Sequence, residues 1–256
     1  ATSCRSATTG VVTGCSPCAD RPAKRNLAVQ PLVRALPISW GRAMNRSIVI
    51  NREFGSGGRE IGRLICERTG AEFYDSRILQ QAAAKRGVPA NQLAAFDERL
   101  ATAHHLNLSL PGFADPEFAA MLYRVFSVIA DVITEAATAA PAVFIGRCAD
   151  AILREAQLPL LSVFVLSTDT KAKVARAIEA DNVPPKDAEK YIARMDKARS
   201  RYQQFFTGTR FGDSREYDLC LNSGRLGAAA CADVIESLIG GPPAPPPVRP
   251  DVPGAH

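Results

Sequence analysis

Two rhythms of apolar residues divide the chain between residues 46 and 240. Ile48-Val49-Ile50, Ala142-Val143-Phe144-Ile145 and Leu160 to Leu166 are near-continuous apolar runs of strand length, and Tyr217 to Asn222 reads as a last strand. Between these runs the apolar positions recur at helical spacing. Ile61, Leu64 and Ile65 share one face of a helix that Gly70 is placed to stop. Phe73-Tyr74 predicts a further short strand, followed by helices over 76–86 and 90–103. Pro111-Gly112 and Asp115-Pro116 then mark a loop over 106–115. Phe118, Met121, Leu122, Val125, Ile129, Val132, Ile133 and Ala136 predict a buried helix that cannot continue through Pro141. Helices are also predicted over 148–156, over 226–239, and from Pro184-Pro185 to about Gln204. One more, carrying Val174, Ala175 and Ile178, starts at a Thr168 or Asp169 cap. Apolar strands alternating with helices predict an α/β fold with a mostly parallel sheet covered on both faces. Ligands of such sheets bind at the carboxyl ends of the strands.

Composition narrows this picture. With 256 residues, 46% of them hydrophobic and 22% charged, the chain can bury a sizeable core. Its apolar runs fall far short of the roughly 20 residues that span a bilayer, so no membrane partner is expected. The formal charge of +5 is local. Residues 1–43 hold six basic residues and one acidic residue, and the rest of the chain holds 25 of each. The neutral remainder has no broad basic stripe with interleaved aromatics, so nucleic acid is not an expected partner.

Eleven of the 18 prolines lie within 1–43 and 242–253, where apolar periodicity is missing. Residues 1–45 are therefore expected to be disordered or not translated, the untranslated part being 1–43 if the start is Met44. A targeting segment is the rival reading, and no apolar stretch of the secretory kind follows an N-terminal charge there. Residues 46–240 are expected to form the domain, and 241–256 a Pro-rich disordered tail. Cys66, Cys148, Cys220 and Cys231 are widely spaced in apolar surroundings and read as small buried hydrophobes of a reducing, cytoplasmic compartment. Cys15-Ser-Pro-Cys18 lacks the βαβ context of a redox motif, and the adjacent His104-His105 have no spaced partner for a metal.

Candidate chemistry begins at the first strand. Gly55-Ser56-Gly57-Gly58 joins it to a helix, and a glycine turn before a helix N-terminus aims backbone N–H groups and a partial positive charge at one point, as phosphate binding requires. Set against G-x-x-x-x-G-K-[ST], the segment puts Arg52 at the first glycine, Gly57 at the second, Gly58 at the lysine and Arg59 at the hydroxyl residue. Arg52, Arg59 and Arg63 are the nearby cations able to replace the missing lysine, since guanidinium grips phosphate oxygens in pairs. Ser56 is the only hydroxyl in the loop.

Asn51-Arg-Glu-Phe-Gly-Ser-Gly-Gly-Arg-Glu-Ile-Gly62, followed by Phe73-Tyr74-Asp75, resembles the opening of the cytidylate kinase-like family of P-loop proteins. Val143-Phe-Ile-Gly-Arg-Cys-Ala-Asp150 is similar to its Gly-Arg strand end. Asp196-Lys-Ala-Arg-Ser-Arg-Tyr202 with Thr207-Gly208 is similar to its lid, and Tyr217-Asp-Leu-Cys-Leu-Asn222 to its final strand. The resemblance runs over about 47–240. It implies a P-loop NTPase-like three-layer α/β/α fold with a helical lid, and ATP-dependent phosphoryl transfer to a nucleoside monophosphate, CMP or dCMP first. ATP and Mg²⁺ are the implied cofactors, and nucleotides the implied partners. The alternative is a nucleotide-binding regulatory module without turnover, which the absent lysine motivates.

On the kinase reading, Gly55, Ser56, Gly57, Gly58, Arg59 and Arg52 hold the donor phosphates. Arg147 grips the acceptor phosphate, unless it is a capping or surface arginine. Asp75 either orients the acceptor or a Mg²⁺ water, or is a turn aspartate. Lys197, Arg199 and Arg201, with Arg194 nearby, are the densest basic cluster of the domain. They close over the transferring group, or they form a solvated face balanced by Asp187, Glu189 and Asp196.

Overall fold

A computed structural model describes residues 44–93, 96 and 116–240. Five strands, β1 (Ser47–Arg52), β2 (Phe73–Tyr74), β3 (Val143–Phe144), β4 (Leu160–Leu166) and β5 (Leu219–Asn222), form one sheet in the order β2-β3-β1-β4-β5. Every pairing is parallel, with Val49 lying between Phe144 and Ser162. The chain leaves β1 for β2 on one side and later reaches β4 on the other. Such a reversal leaves a crevice beyond the strand ends.

Alternation along the strands assigns the two layers of helices. Ile48 and Ile50 point to one face and pack with Ile61 and Ile65 of α1 (Gly58–Thr69) and with Cys231, Ala232 and Ile235 of the last helix. Val49 points the other way. With Phe144 it meets Leu79 of α2 (Ser76–Lys85), Leu122, Val125, Ile129 and Ile133 of α3 (Pro116–Ala139), and Ile152 and Leu153 of α4 (Ala149–Glu155). Each fully buried Ile or Leu contributes about 2 kcal/mol relative to exposure. This double cover is why β1 and β4 are apolar on both faces.

A helical lid stands beside the strand ends. Helices α5 (Thr170–Asp181) and α6 (Ala188–Thr207) enclose a small core of Ala177, Val183, Ala188 and Ile192. Phe54 of the β1–α1 loop packs on that core, edge-on to Tyr191 at 5.3 Å between centroids. Asp169 caps α5 by accepting from the Ala172 N–H, and Gly208 in the left-handed region ends α6, three residues beyond the expected Gln204.

The last predicted helix, over 226–239, is α8 (Ala228–Ile239), and a short helix that was not predicted, α7 (Ser223–Leu226), precedes it. Gly227 separates them at φ 79° and ψ 161°, a conformation open to glycine alone. Of the helix expected over 90–103, residues 90–93 and 96 are helical and the rest lie outside the described residues, as do the loop over 106–115 and His104-His105. Residues 1–43 and 241–256 also lie outside them. No helix of the described residues is long and apolar enough to cross a membrane.

Gly62 sets how closely α1 meets the sheet. A Cβ there would lie 2.8 Å from Ile145 Cδ1 and 3.1 Å from Phe73 Cε2. Gly62→Val is therefore expected to cost about 2 kcal/mol through overpacking, read as a lower urea midpoint with unchanged slope.

Candidate functional site

The loop from β1 to α1 is built by backbone conformation and held by its neighbours. Gly55 and Gly57 take φ of 70° and 79°, and no side chain caps α1. The amides of Gly58, Arg59 and Glu60 consequently find no acceptor among the described residues, as at any uncapped helix start. Ser56 is fully buried. Its hydroxyl donates to the Glu53 carbonyl at 2.9 Å, and its own carbonyl accepts from the Ser223 hydroxyl.

Helix α5 braces the loop from outside. Arg176 donates to the Gly55 carbonyl at 2.7 Å, and Lys173 pairs with Glu53 at 3.0 Å and with Asp196 at 3.7 Å. Sequence reasoning passed over these two cations. Their signal was an i, i+3 pair on the helix that follows strand β4.

The missing lysine has a steric cause. A Cβ on Gly58 would come within 2.8 Å of Arg52 Cβ, so the position that carries lysine in the motif admits only glycine here. Arg52 occupies the motif's first glycine position, and the positive charge has moved from one side of the loop to the other. Its guanidinium lies against Gly146, where a Cβ would be 2.2 Å from Nη1.

Three further arginines surround Arg52. Arg147 lies over the rings of Phe96 and Tyr202 at 5.7 and 5.4 Å, and both Arg147 and Cys148 hold positive φ, 61° and 57°. Side chains rarely adopt this backbone, so two in succession at a strand end make a strained turn. Arg199 donates to the Arg52 carbonyl at 3.1 Å and lies 3.6 Å from Asp196 Oδ1. Arg59 pairs with Asp75 at 2.6 Å.

Burial, then Arg199, Arg147 and Arg59, push the Arg52 pKa well below its ordinary value, and Asp75 opposes them. Among the described residues no carboxylate lies within ion-pair distance of Arg52. Asp75 is already taken up by Arg59 and by the Arg77 and Ile78 amides at the start of α2. Withdrawing an unpaired guanidinium from water costs up to several kcal/mol. Asp196 and Asp75 offset Arg199 and Arg59, while Arg52 has no such carboxylate among the described residues.

Arg52, Arg147 and Arg199 line a cavity of about 270 Å³ together with Asn51, Tyr202 and Gln203. Lys197 and Arg201 do not line it: Lys197 is exposed and Arg201 half-buried. Two residues along a helix turn a side chain by about 200°, so Arg199 faces inward where its basic neighbours face away. Arg194 lies over the Tyr191 ring, and Arg63 over that of Phe73.

Among the described residues no group of three or more His, Cys, Asp or Glu side chains could hold a metal ion. Burial pushes the Cys66 thiol up to about 12 and also raises Cys148, so neither is a nucleophile at neutral pH. Cys220 departs from the expected burial. It is exposed, because β5 is an edge strand that turns Leu221 inward and Cys220 out.

A parallel sheet whose central strand ends in a glycine loop and helix N-terminus, with a helical lid beside it, defines a P-loop kinase fold. The chain belongs to the cytidylate kinase-like family, which it matches over residues 47–225. Among solved structures, an uncharacterized protein from Eubacterium ventriosum is similar at 25% identity and TM-score 0.57, covering 76% of this chain and 98% of that one. A shikimate kinase from Acinetobacter baumannii, in complex with shikimate, is 15% identical with TM-score 0.42 over 76% of this chain and 92% of that chain. A gluconokinase from Sinorhizobium meliloti is 16% identical with TM-score 0.43 over 78% and 93%. No curated protein matches the sequence.

Because Arg52 is half-buried among like charges, Arg52→Met is expected to leave the free protein as stable as wild type or more so, by roughly 1 kcal/mol. Thermal melting in phosphate-free buffer checks the sign, and a lower melting temperature would show a carboxylate partner.

Proposed function

We propose that this protein transfers the γ-phosphoryl group of ATP to a nucleoside monophosphate, with CMP or dCMP the first acceptor to test. The observation that carries the reading is the gathering of Arg52, Arg147, Arg199 and Arg59 beside a glycine loop whose helix start is uncapped. In phosphoryl transfer the protein chiefly positions the reactants and stabilises charge, and this site offers both.

The donor phosphates fit the loop, where the Gly58, Arg59 and Glu60 amides are free and Gly57 and Gly58 present no side chain. Arg52 supplies the charge that the motif's lysine would bring. Arg147 and Arg199 hold the acceptor phosphate in the cavity, and an acceptor oxygen bonds to the γ-phosphorus as the β–γ bridging oxygen leaves with the bond's electrons. Helix α6 walls the reacting groups from water.

Mg²⁺ neutralises the donor phosphates when bound. Its ligands would come chiefly from phosphate and water, since Ser56 is buried and Glu53 and Asp75 are already paired. On this reading Asp75 orients Arg59, while Lys197 and Arg201 act at longer range on an incoming polyphosphate.

One observation favours a second reading, a nucleotide-binding module without turnover. Lys173, the lysine packed on the loop, is committed to Glu53 and Asp196. A coupled assay over the common monophosphates with ATP and Mg²⁺ separates the two readings. Transfer fastest to CMP or dCMP is expected, and nucleotide binding without transfer to any acceptor rejects the kinase. Arg147→Ala is expected to lower kcat/KM about a hundredfold, the usual loss for one charge-stabilising donor. Lys197→Ala should change it little.

A further inference from the structure

The outer face of α6 carries a pattern of charge that phosphoryl transfer leaves almost unused. Lys190, Arg194, Lys197 and Arg201 recur at spacings of four, three and four residues. At about 100° of rotation per residue they fall within roughly 60° of one another, so one stripe of the helix carries a cation on every turn. Lys186, in the short turn before α6, stands four residues ahead of Lys190. Lys186, Lys190, Arg194 and Lys197 are exposed, and Arg201 is half-buried. Like charges at this spacing destabilise a helix.

The nearby acids do not balance the stripe. Asp196 turns inward, where it accepts from the Phe54 N–H and pairs with Lys173 and Arg199. Asp187 and Glu189 lie within ion-pair distance of none of the five cations, and among the described residues none of the five joins an ion pair. Beside the stripe, the connection from α5 to α6 leaves a groove of about 380 Å³. Val183, Pro184 and Tyr191 give it apolar lining. Lys190 and Arg194 line it too, and Asp187 is the only acid among its lining residues.

These features select a partner. Cations about 5.4 Å apart along a helix match carboxylates on successive turns of a second helix, and the groove matches an apolar side chain between them. A nucleic acid strand fits less well, because it needs open ring faces on which to stack its bases. The Tyr191 ring has Arg194 over it and Phe54 against it. A bilayer needs large apolar side chains beside the cations, and among the described residues none of the exposed ones lies on α6. We infer that this face of the lid docks an acidic helical segment of another protein. Lys190, Arg194 and Lys197 pair with its carboxylates, and the groove seats one of its apolar side chains. The surface lies apart from the cavity and does not depend on turnover.

The test uses the whole chain and a labelled, alanine-based peptide of about eighteen residues, long enough to form helix. It carries glutamates at i, i+4, i+7 and i+11 and one leucine between them, and binding is read by fluorescence anisotropy. A scrambled peptide of the same composition, an oligothymidylate of equal length and vesicles containing phosphatidylserine are the comparisons. Wild type is expected to prefer the patterned peptide, with an affinity that falls as salt rises. Lys190→Glu should weaken binding about fivefold, and Lys190→Glu with Arg194→Glu more than tenfold. Lys85→Glu with Lys171→Glu, which reverses two exposed lysines elsewhere, should change it little. Lys190→Glu sets a carboxylate between Lys186 and Arg194, so it should melt no lower than wild type.

Equal affinity for the two peptides would overturn the inference, as would an equal loss in the control pair. Binding that survives both reversals would do the same, since the basic residues of 1–43 alone could give it. Tighter binding of the oligothymidylate or the vesicles through Lys190 and Arg194 would replace the acidic helix with that partner. Unchanged affinity when the peptide's leucine becomes alanine would reject the groove. If the double reversal does not fold, Lys190→Ala with Arg194→Ala decides by the same readings. Docking in a protein that transfers no phosphoryl group would reject the kinase and leave this surface standing.

Discussion

Strand β1 is paired on both edges, and the two pairings have different lengths. With β4 the register runs from Ser47 to Arg52, but with β3 it covers only Ile48 and Val49. The last two residues of β1 are thus held rigidly from one side and left open on the other. β3 turns away there through Gly146, Arg147 and Cys148, all at positive φ. Asn51, Arg52 and Arg147 are brought to one cavity by this inequality of two ladders. The glycine loop follows immediately, tied back to β4 by the Glu53 N–H bonding to the Val165 carbonyl.

From that constraint follows the crowding of like charge. Arginines placed by a sheet, a strained turn and a lid helix cannot separate without unfolding what holds them, so their repulsion is built into the fold. Aromatic faces ease part of it: Phe96 and Tyr202 lie under Arg147, and Phe54 lies under Arg199. Asp75 and Asp196 ease more, but each also serves backbone amides and so cannot move to another cation. The remaining imbalance is local and leaves the domain neutral as a whole.

The exchange between positions 52 and 58 gives the altered loop a physical logic. Moving the charge from the helix start to the strand end puts a long side chain where the motif has glycine, and the facing residue must shrink in return. Gly58 meets that demand at 2.8 Å. Read from the motif alone, the absent lysine looks like damage. With both positions seen together it is a compensated pair, and Arg52 reaches Gly146 because Gly58 lets its stem pass.

The sheet, the two layers and most helix ends were legible in the chain, because they rest on local rules: strand runs buried on both faces, Gly70 after Cys66, Pro141 after α3, Asp169 before α5. The glycine loop was legible for the same reason. The short helix α7 and the exposure of Cys220 were not, since one depends on Ser223 anchoring it to the loop and the other on β5 being an edge. Charge was legible in number but not in direction. Lys197, Arg199 and Arg201 form one cluster in sequence, and helical rotation puts Arg199 inside and its neighbours outside. Lys173, Arg176 and Asn51 gave no signal of their own, because a side chain's partners across the fold are set by packing between elements distant in the chain. By itself, then, the sequence determined a parallel α/β protein with a phosphate-type loop, through periodicity and glycine placement. Which cations meet, and which side chains line the cavity beside them, only the tertiary structure decided.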